Sequence, residues 1–479
     1  MKKLLLATFV VAALPLAAQQ ALDRSKIPPP GKPPLLRVPA WTKTTLANGA
    51  ELRVAEKHDL PLVSFSITFL GGADQFEQSD RRGVGALTAA MLSEGTKTRD
   101  GEALSNALQL LGTSVQTSIA GETGSMSFVS TSSKFAATLD ILADMLLHPT
   151  FPPDALERLR AQRLVQLNQA KAQPGAIASR VFPRIVFGGA HPFGQATTED
   201  SIKAITRDNI GSFYQTYFRP GRALITIVGD VNPATVRGIV EKALAGWTAG
   251  GDKPAFMYPA LPGAKPTAIY LVDKPGAAQS TFWIGNPGPP RNTPDYFALQ
   301  VMNVILGGQF QSRLNANIRE EKGYSYGVNS NFAFGKGPGP FRAGGDIVTA
   351  KTDLALIEFM KELRGIQGSR PVTDEELTTA KDALIQRLPG TFGSVGGING
   401  SLTTIWTQGL PEDYYQQYSA HISAITKDDV LRVAKQYIDL DHLAIVIVGD
   451  RATIEAPLRT TGIAPIVITD IEGNPKTSQ

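Results

Sequence analysis

One pattern of apolar and polar positions occurs twice, 220 residues apart. Residues 204–230 read AITRDNIGSFYQTYFRPGRALITIVGD and residues 424–450 read AITKDDVLRVAKQYIDLDHLAIVIVGD. They align without a gap, and ten of the 27 positions are identical. In each copy a Thr-x-Asp (Thr206, Thr426) predicts a helix N-cap, and a tyrosine (Tyr217, Tyr437) falls near the predicted helix end. Apolar runs at Ile225–Val228 and Ile445–Val448 then predict buried strands, each stopped by Gly-Asp. A repeat of this length and offset predicts two homologous halves.

The rest of the first half fits the same grammar. Val63 to Phe69 alternates as a strand does, and Ser125 to Ser130 returns to that period. Gly83–Leu92, Gly101–Leu111 and Lys134–Leu147 carry helical spacing; the last has Phe135, Leu139, Ile141, Leu142, Met145 and Leu146 on its apolar face. Strands joined to helical pairs predict an α+β fold, each half a mixed sheet covered by helices. The predicted organisation is a signal peptide (1–18), a Pro-rich extended arm (19–44), a first half (45–247), a Gly/Pro-rich linker (248–266), a second half (267–456) and a peripheral tail (457–479).

Composition narrows the function classes. The chain is 42% hydrophobic and 19% charged, with a formal net charge of +4, so large cores are available and no Lys/Arg cluster marks a nucleic-acid surface. The start, MKKLLLATFVVAALPLAAQQ, has Lys2 and Lys3, an apolar run from Leu4 to Leu16 and small residues Ala17-Ala18. That order predicts a secretory signal peptide and a periplasmic or secreted protein. The run is too short to span a bilayer comfortably, and no other stretch predicts a membrane helix. With zero Cys there is no disulfide, no thiolate nucleophile and no Cys-ligated metal. None of the five His (His58, His148, His191, His421, His442) is followed at i+4 by a His or a carboxylate. No G-x-S-x-G elbow is present. The Gly-rich stretches at Gly307-Gly308 and 388–402 are followed by no Gly-Lys-Ser/Thr, so they predict flexible loops rather than a phosphate cradle. Asp230 and Asp450, at strand ends, predict turn-forming roles.

Residues 305–328, ILGGQFQSRLNANIREEKGYSYGV, resemble the long signature of the insulinase/pitrilysin peptidases, a family that includes mitochondrial processing peptidase. The matching positions are Gly307, Gly308, Ser312, Arg313, Leu314, Ile318, Arg319, Glu320, Gly323, Tyr326 and Val328. VDKPGAAQS (272–280), HPFG (191–194), FYQTYFRPGRALITIVGD (213–230) and VTDEELTTAKDAL (372–384) support the resemblance in the family's order. It implies two homologous halves packed as a clam, with a peptide enclosed between them and with zinc on an H-x-x-E-H helix of the first half. Ser125–Ser130 matches the region where that family adds its substrate as an extra strand.

The zinc ligands implied by the resemblance are missing. The motif falls on Ala86, Ala89 and Ala90, and no Asp or Glu occurs from Arg158 to Thr198, where the distal ligand belongs. Methyl groups offer no lone pair to zinc. The resemblance does carry over the family's cross-chamber pair, an Arg and a Tyr seven residues apart, onto Arg319 and Tyr326. Arg319 would bind peptide carbonyls, and the Tyr326 hydroxyl would donate to the developing oxyanion. Taken alone, an Arg in IREEK also serves as a surface charge and a Tyr as strand packing. The combined expectation is a non-catalytic subunit of a two-chain metallopeptidase, with no cofactor of its own. Zinc would be in a homologous partner, and Arg319 and Tyr326 would act in that partner's site on a peptide substrate. The alternative is a binding or assembly protein of the same ancestry, as in the core subunits of respiratory complexes of this superfamily.

Overall fold

The computed structural model describes residues 36–476; the predicted signal peptide, the arm up to residue 35 and the last three residues lie outside the described residues. Strands β1 (Trp41–Thr45), β2 (Glu51–Glu56), β3 (Leu62–Leu70), β4 (Gln116–Ala120), β5 (Thr123–Thr131) and β6 (Ala223–Gly229) form one sheet, ordered β1-β2-β6-β3-β5-β4. Strands β7 (Ala268–Asp273), β8 (Gln279–Pro287), β9 (Ser325–Phe332), β10 (Pro340–Val348), β11 (Ala444–Gly449) and β12 (Ile466–Thr469) form the other, ordered β12-β7-β11-β8-β10-β9. The sheets share a plan. A parallel pair (β2·β6, β7·β11) is followed by antiparallel neighbours (β6·β3·β5·β4, β11·β8·β10·β9). They differ at one edge, where β1 runs antiparallel to β2 but β12 runs parallel to β7. Both are mixed sheets covered by helices, an α+β fold.

The repeated motif performs the same task in both halves. Thr206 and Thr426 each cap a helix (Arg207–Tyr217, Lys427–Tyr437) through a reciprocal capping box, closed by Asn209 and Asp429. The tyrosine ending each helix ties it to the segment after the neighbouring strand: the Tyr217 hydroxyl donates to the Gly71 carbonyl, and the Tyr437 hydroxyl donates to Asp295 Oδ2 at 2.7 Å. The apolar runs are β6 and β11, buried along their full length.

Strand period separates two faces in the first sheet. Val63, Phe65, Ile67 and Phe69 enter the first core, while Ser64, Ser66 and Thr68 face the other way. That second face is covered by a helix from the other half. Val395–Gln408 packs on β3 and β6. Its buried Asn399 joins the halves by accepting from Ser66 Oγ (2.8 Å) and donating to the carbonyls of Ser64 (3.4 Å) and Thr226 (3.3 Å). Reciprocally, Pro174–Phe187 of the first half packs on β8 and β11. Its Ile177, Val181, Phe182 and Val186 share a buried cluster with Val272, Val446 and Val448. Each half therefore lends a helix to the other's sheet. Both helices lie where the two halves meet, the place where the resemblance implied an enclosed peptide.

Three expectations change. Trp41 to Thr44, assigned to the arm, belong to β1, because they pair with β2 from Trp41 onward. The tail is not peripheral: β12 extends the second sheet, and the helix Arg451–Thr460 continues past residue 456. The Gly-rich stretch 388–402 forms the end of one helix (Asp374–Thr391) and much of the next (Val395–Gln408) rather than a flexible loop. The linker region 248–266 has no regular secondary structure, but it is anchored: Phe256 packs against Leu70, Leu224 and Trp406, and the Tyr258 hydroxyl donates to Glu122.

Candidate functional site

The helix Val84–Met91 is well made, although none of its residues bears a metal-ligating side chain. Gly83, at φ +104°, has no side chain with which to cap it. Glu77 does so instead, its carboxylate accepting the N–H groups of Gly83 (2.9 Å) and Gly85 (2.7 Å). Ala86 is exposed, Ala90 half-buried and Ala89 buried. The helix has one oxygen-bearing side chain, Thr88, which is buried and donates to the Val84 carbonyl at 2.7 Å. The helix Pro153–Ala170 packs beside it, with Leu164 and Leu167 against the core and Val165 exposed; no carboxylate lies on it from Arg158 onward. The residues present do not fit zinc, since a protein site for it needs three or more N, O or S ligands. Among the described residues no group of three His, Asp or Glu side chains converges on a possible metal position.

Arg319 and Tyr326 lie on one continuous segment. Arg319 is in a π-helical turn, Asn315–Glu321, a geometry that recurs at functional sites. Its guanidinium stacks 4.3 Å from the centre of the Phe310 ring and pairs with Glu320 at 3.2 Å. The chain then turns at Gly323 (φ +65°) and enters β9, the edge strand, where Tyr326 is 90% exposed. Its hydroxyl makes no hydrogen bond to any described residue. Phe310, whose ring lies under the Arg319 guanidinium, is 59% exposed. Sequence reading missed Phe310; the available signal was an aromatic residue inside a Gly/Gln-rich stretch.

The same signature contains residues that only hold the fold. Arg313, with its side chain 3% exposed, makes a bidentate pair with Glu376 (2.7 and 2.6 Å) and donates to the carbonyls of Arg370 and Pro371. Burial pushes the Glu376 carboxyl up, but Arg313 and the Thr373 N–H outweigh it and hold it below the usual range. Gly307 and Gly308 are packing glycines rather than loop hinges. A Cβ on Gly307 would collide with the Ser330 backbone, and one on Gly308 would come within 2.7 Å of Asn303 Nδ2.

Other candidates resolve into structural roles. β5, which contains Ser125–Ser130, lies between β3 and β4, so the free edge of that sheet is β4. Asp230 accepts from Ser132 Oγ (2.9 Å) and pairs with His58 Nδ1 (2.8 Å), bracing a turn; the carboxylate sits between the hydroxyl and the imidazole, so His58 cannot activate Ser132. Asp450 accepts the Gly276 N–H at 3.2 Å. His191 is buried among Phe187, Phe193 and Tyr258; its Nδ1 accepts the Phe193 N–H, and burial pushes its pKa down.

Comparison with known proteins agrees with this geometry. Residues 54–191 match the family profile "Insulinase (Peptidase family M16)", and residues 204–384 match "Peptidase M16 inactive domain". The "Uncharacterized zinc protease YmxG" of Bacillus subtilis is 22% identical over 71% of this chain and 81% of its own length. The "Non-peptidase homolog YmxG" of Helicobacter pylori is 23% identical over 83% of this chain and 91% of its own. Among solved structures, the peptidase M16 inactive domain from Pseudomonas fluorescens superposes with a TM-score of 0.78 at 26% identity, over 85% of this chain and 98% of that one. A protease from Helicobacter pylori shares the fold, with a TM-score of 0.76 at 17% identity over 86% and 99% of the two chains.

Proposed function

Because the chain belongs to the insulinase family of peptidases, M16, we propose that it is the zinc-less subunit of an exported two-chain metalloendopeptidase. A homologous partner bearing H-x-x-E-H supplies the metal and the general base. This chain supplies a wall of the substrate chamber and, from its second half, Arg319 and Tyr326. The observation that carries the reading is an asymmetry: the first-half helix has alanines where ligands belong, while the second half keeps an exposed phenol at Tyr326 and a partly exposed guanidinium at Arg319. The exchanged helices support it further. They occupy the faces by which the two halves of this chain meet, which favours a chamber formed against another chain. The basic start and apolar run of residues 1–18 support export.

The test is reconstitution. The purified chain should hold no stoichiometric zinc by metal analysis and cleave no unfolded peptide. Mixed with an H-x-x-E-H homologue from the same source, it should raise that chain's peptidase activity. Stoichiometric zinc, or unaided cleavage, sinks the proposal. The name "Non-peptidase homolog" carried by the Helicobacter relative favours a second reading, a binding or assembly protein. That reading predicts complex formation with no gain in proteolysis.

A further inference from the structure

Tyr326 projects from backbone that other side chains hold in place. β9 is an edge strand, so its outward N–H groups have no strand partner. Two residues past Tyr326, the Val328 N–H donates to Asn315 Oδ1 at 3.0 Å. Just before Tyr326, Ser325 Oγ accepts the Gly327 N–H at 3.0 Å and donates to the Asp346 carbonyl at 2.7 Å. Asn315 is 91% buried, with 9% relative exposure, and it opens the π-helical turn that carries Arg319. Its Nδ2 reaches back to the Gln309 carbonyl at 3.4 Å, next to Phe310, whose ring lies under Arg319. The turn is fixed from below by Asn317, whose Nδ2 donates to Glu358 and Glu362 at 2.8 Å each. One buried amide therefore touches all three segments that present Phe310, Arg319 and Tyr326.

We propose that Asn315 is a positioning residue for this pair, a reading that rests on the two-chain function proposed above. It touches no substrate; it sets where the Tyr326 hydroxyl stands relative to the Arg319 guanidinium. A donor aimed at a developing oxyanion acts only at the correct place, and a displacement of about 1 Å can cost about a hundredfold in rate. A residue that only satisfied an edge N–H would affect stability and leave the rate of the folded complex alone.

The experiment is a double-mutant cycle in the reconstituted two-chain enzyme, with concentrations corrected for folded protein. Asn315→Ala is expected to lower kcat about tenfold to a hundredfold with little change in KM. In a Tyr326→Phe background the same substitution is expected to cost nothing further, because the group it positions is gone. Asn315→Asp keeps an acceptor for the Val328 N–H but loses the donor to the Gln309 carbonyl, so its kcat should fall between those of the alanine variant and wild type; it also serves if the alanine variant does not fold. Equal factors in both backgrounds, or an aspartate variant as poor as alanine, overturn the proposal. If Tyr326→Phe alone changes nothing, the parent reading fails, and this one fails with it.

Discussion

Two arginines six residues apart in one signature, Arg313 and Arg319, show how little a motif says about the role of each member. Arg313 is buried in a bidentate pair with Glu376. Arg313→Ala would remove that pair and the bonds to two carbonyls and should destabilise the chain by about 2–3 kcal/mol, read as a shift in the denaturant midpoint, while kcat of the folded complex holds. Arg319 is half-exposed and paired only at its rim; Arg319→Ala should leave the midpoint within about 0.5 kcal/mol and act on KM. Tyr326→Phe removes one hydroxyl that contacts no described residue. Stability should be unchanged, and kcat in the two-chain enzyme should fall about a hundredfold to a thousandfold, the usual value of one oxyanion donor. Equal activity of that variant would remove Tyr326 from the site. Asp295 offers a pH test. Arg432, and then Tyr437, hold its carboxyl below the usual range despite partial burial. A carboxylate with a depressed folded pKa adds stability above its unfolded pKa, and that contribution vanishes as pH falls through the folded value. Asp295→Asn should therefore cost stability at pH 7, and the gap from wild type should narrow as pH falls below the ordinary aspartate pKa of about 3.9 and through the lower folded value. A gap independent of pH would mean that the carboxylate's charge plays no part.

At the scale of elements, legibility followed the range of the interactions. Caps, helix ends and apolar strands of the 27-residue repeat were readable because a capping box and a period of two are local chemistry. The emptiness of the Val84–Met91 helix was equally plain, since alanine has no donor in any fold. What composition hid was which surface each helix covers. Val395–Gln408 has glycines at 396, 397 and 400 and looked like a loop; its burial against β3 and β6, and Asn399's bonds across the halves, make it a helix, because tertiary packing outweighs the poor propensity of glycine. The resemblance put substrate addition at Ser125–Ser130, but the free edge on that side of the sheet is β4, since strand order is a long-range property. Asn399→Ala tests the crossing directly. It leaves the buried Ser66 hydroxyl without its partner and removes the amide's bonds to the Ser64 and Thr226 carbonyls, which should cost about 1–3 kcal/mol, measurable by chemical denaturation. A change near zero would mean the halves are held by apolar contact alone.

For the whole molecule, the exchanged helices decide whether the two halves are independent. Ancestry by duplication makes each half look like a domain, and a domain should fold alone. Here neither half owns a complete second layer. Without Val395–Gln408, the first sheet bares Leu224 and Thr226 beside Ser64 and Ser66. Without Pro174–Phe187, the second bares Tyr270, Val446 and Val448. A sheet covered on only one face by its own helices leaves apolar surface and buried-type polar groups in water, and both oppose folding. Ala55 and Val228 of the first sheet also sit in the second half's core cluster. The expected behaviour is one cooperative transition for residues 36–476, with coincident melting by near-UV and far-UV circular dichroism. Residues 36–247 expressed alone should be poorly folded, and a separate 248–476 fragment added in trans should rescue them. Two resolved transitions, or a stable isolated first half, would show that the swap is decoration. A single transition is what the proposed two-chain arrangement requires, in which Arg319 and Tyr326 would be presented from one cooperatively folded unit to the proposed partner.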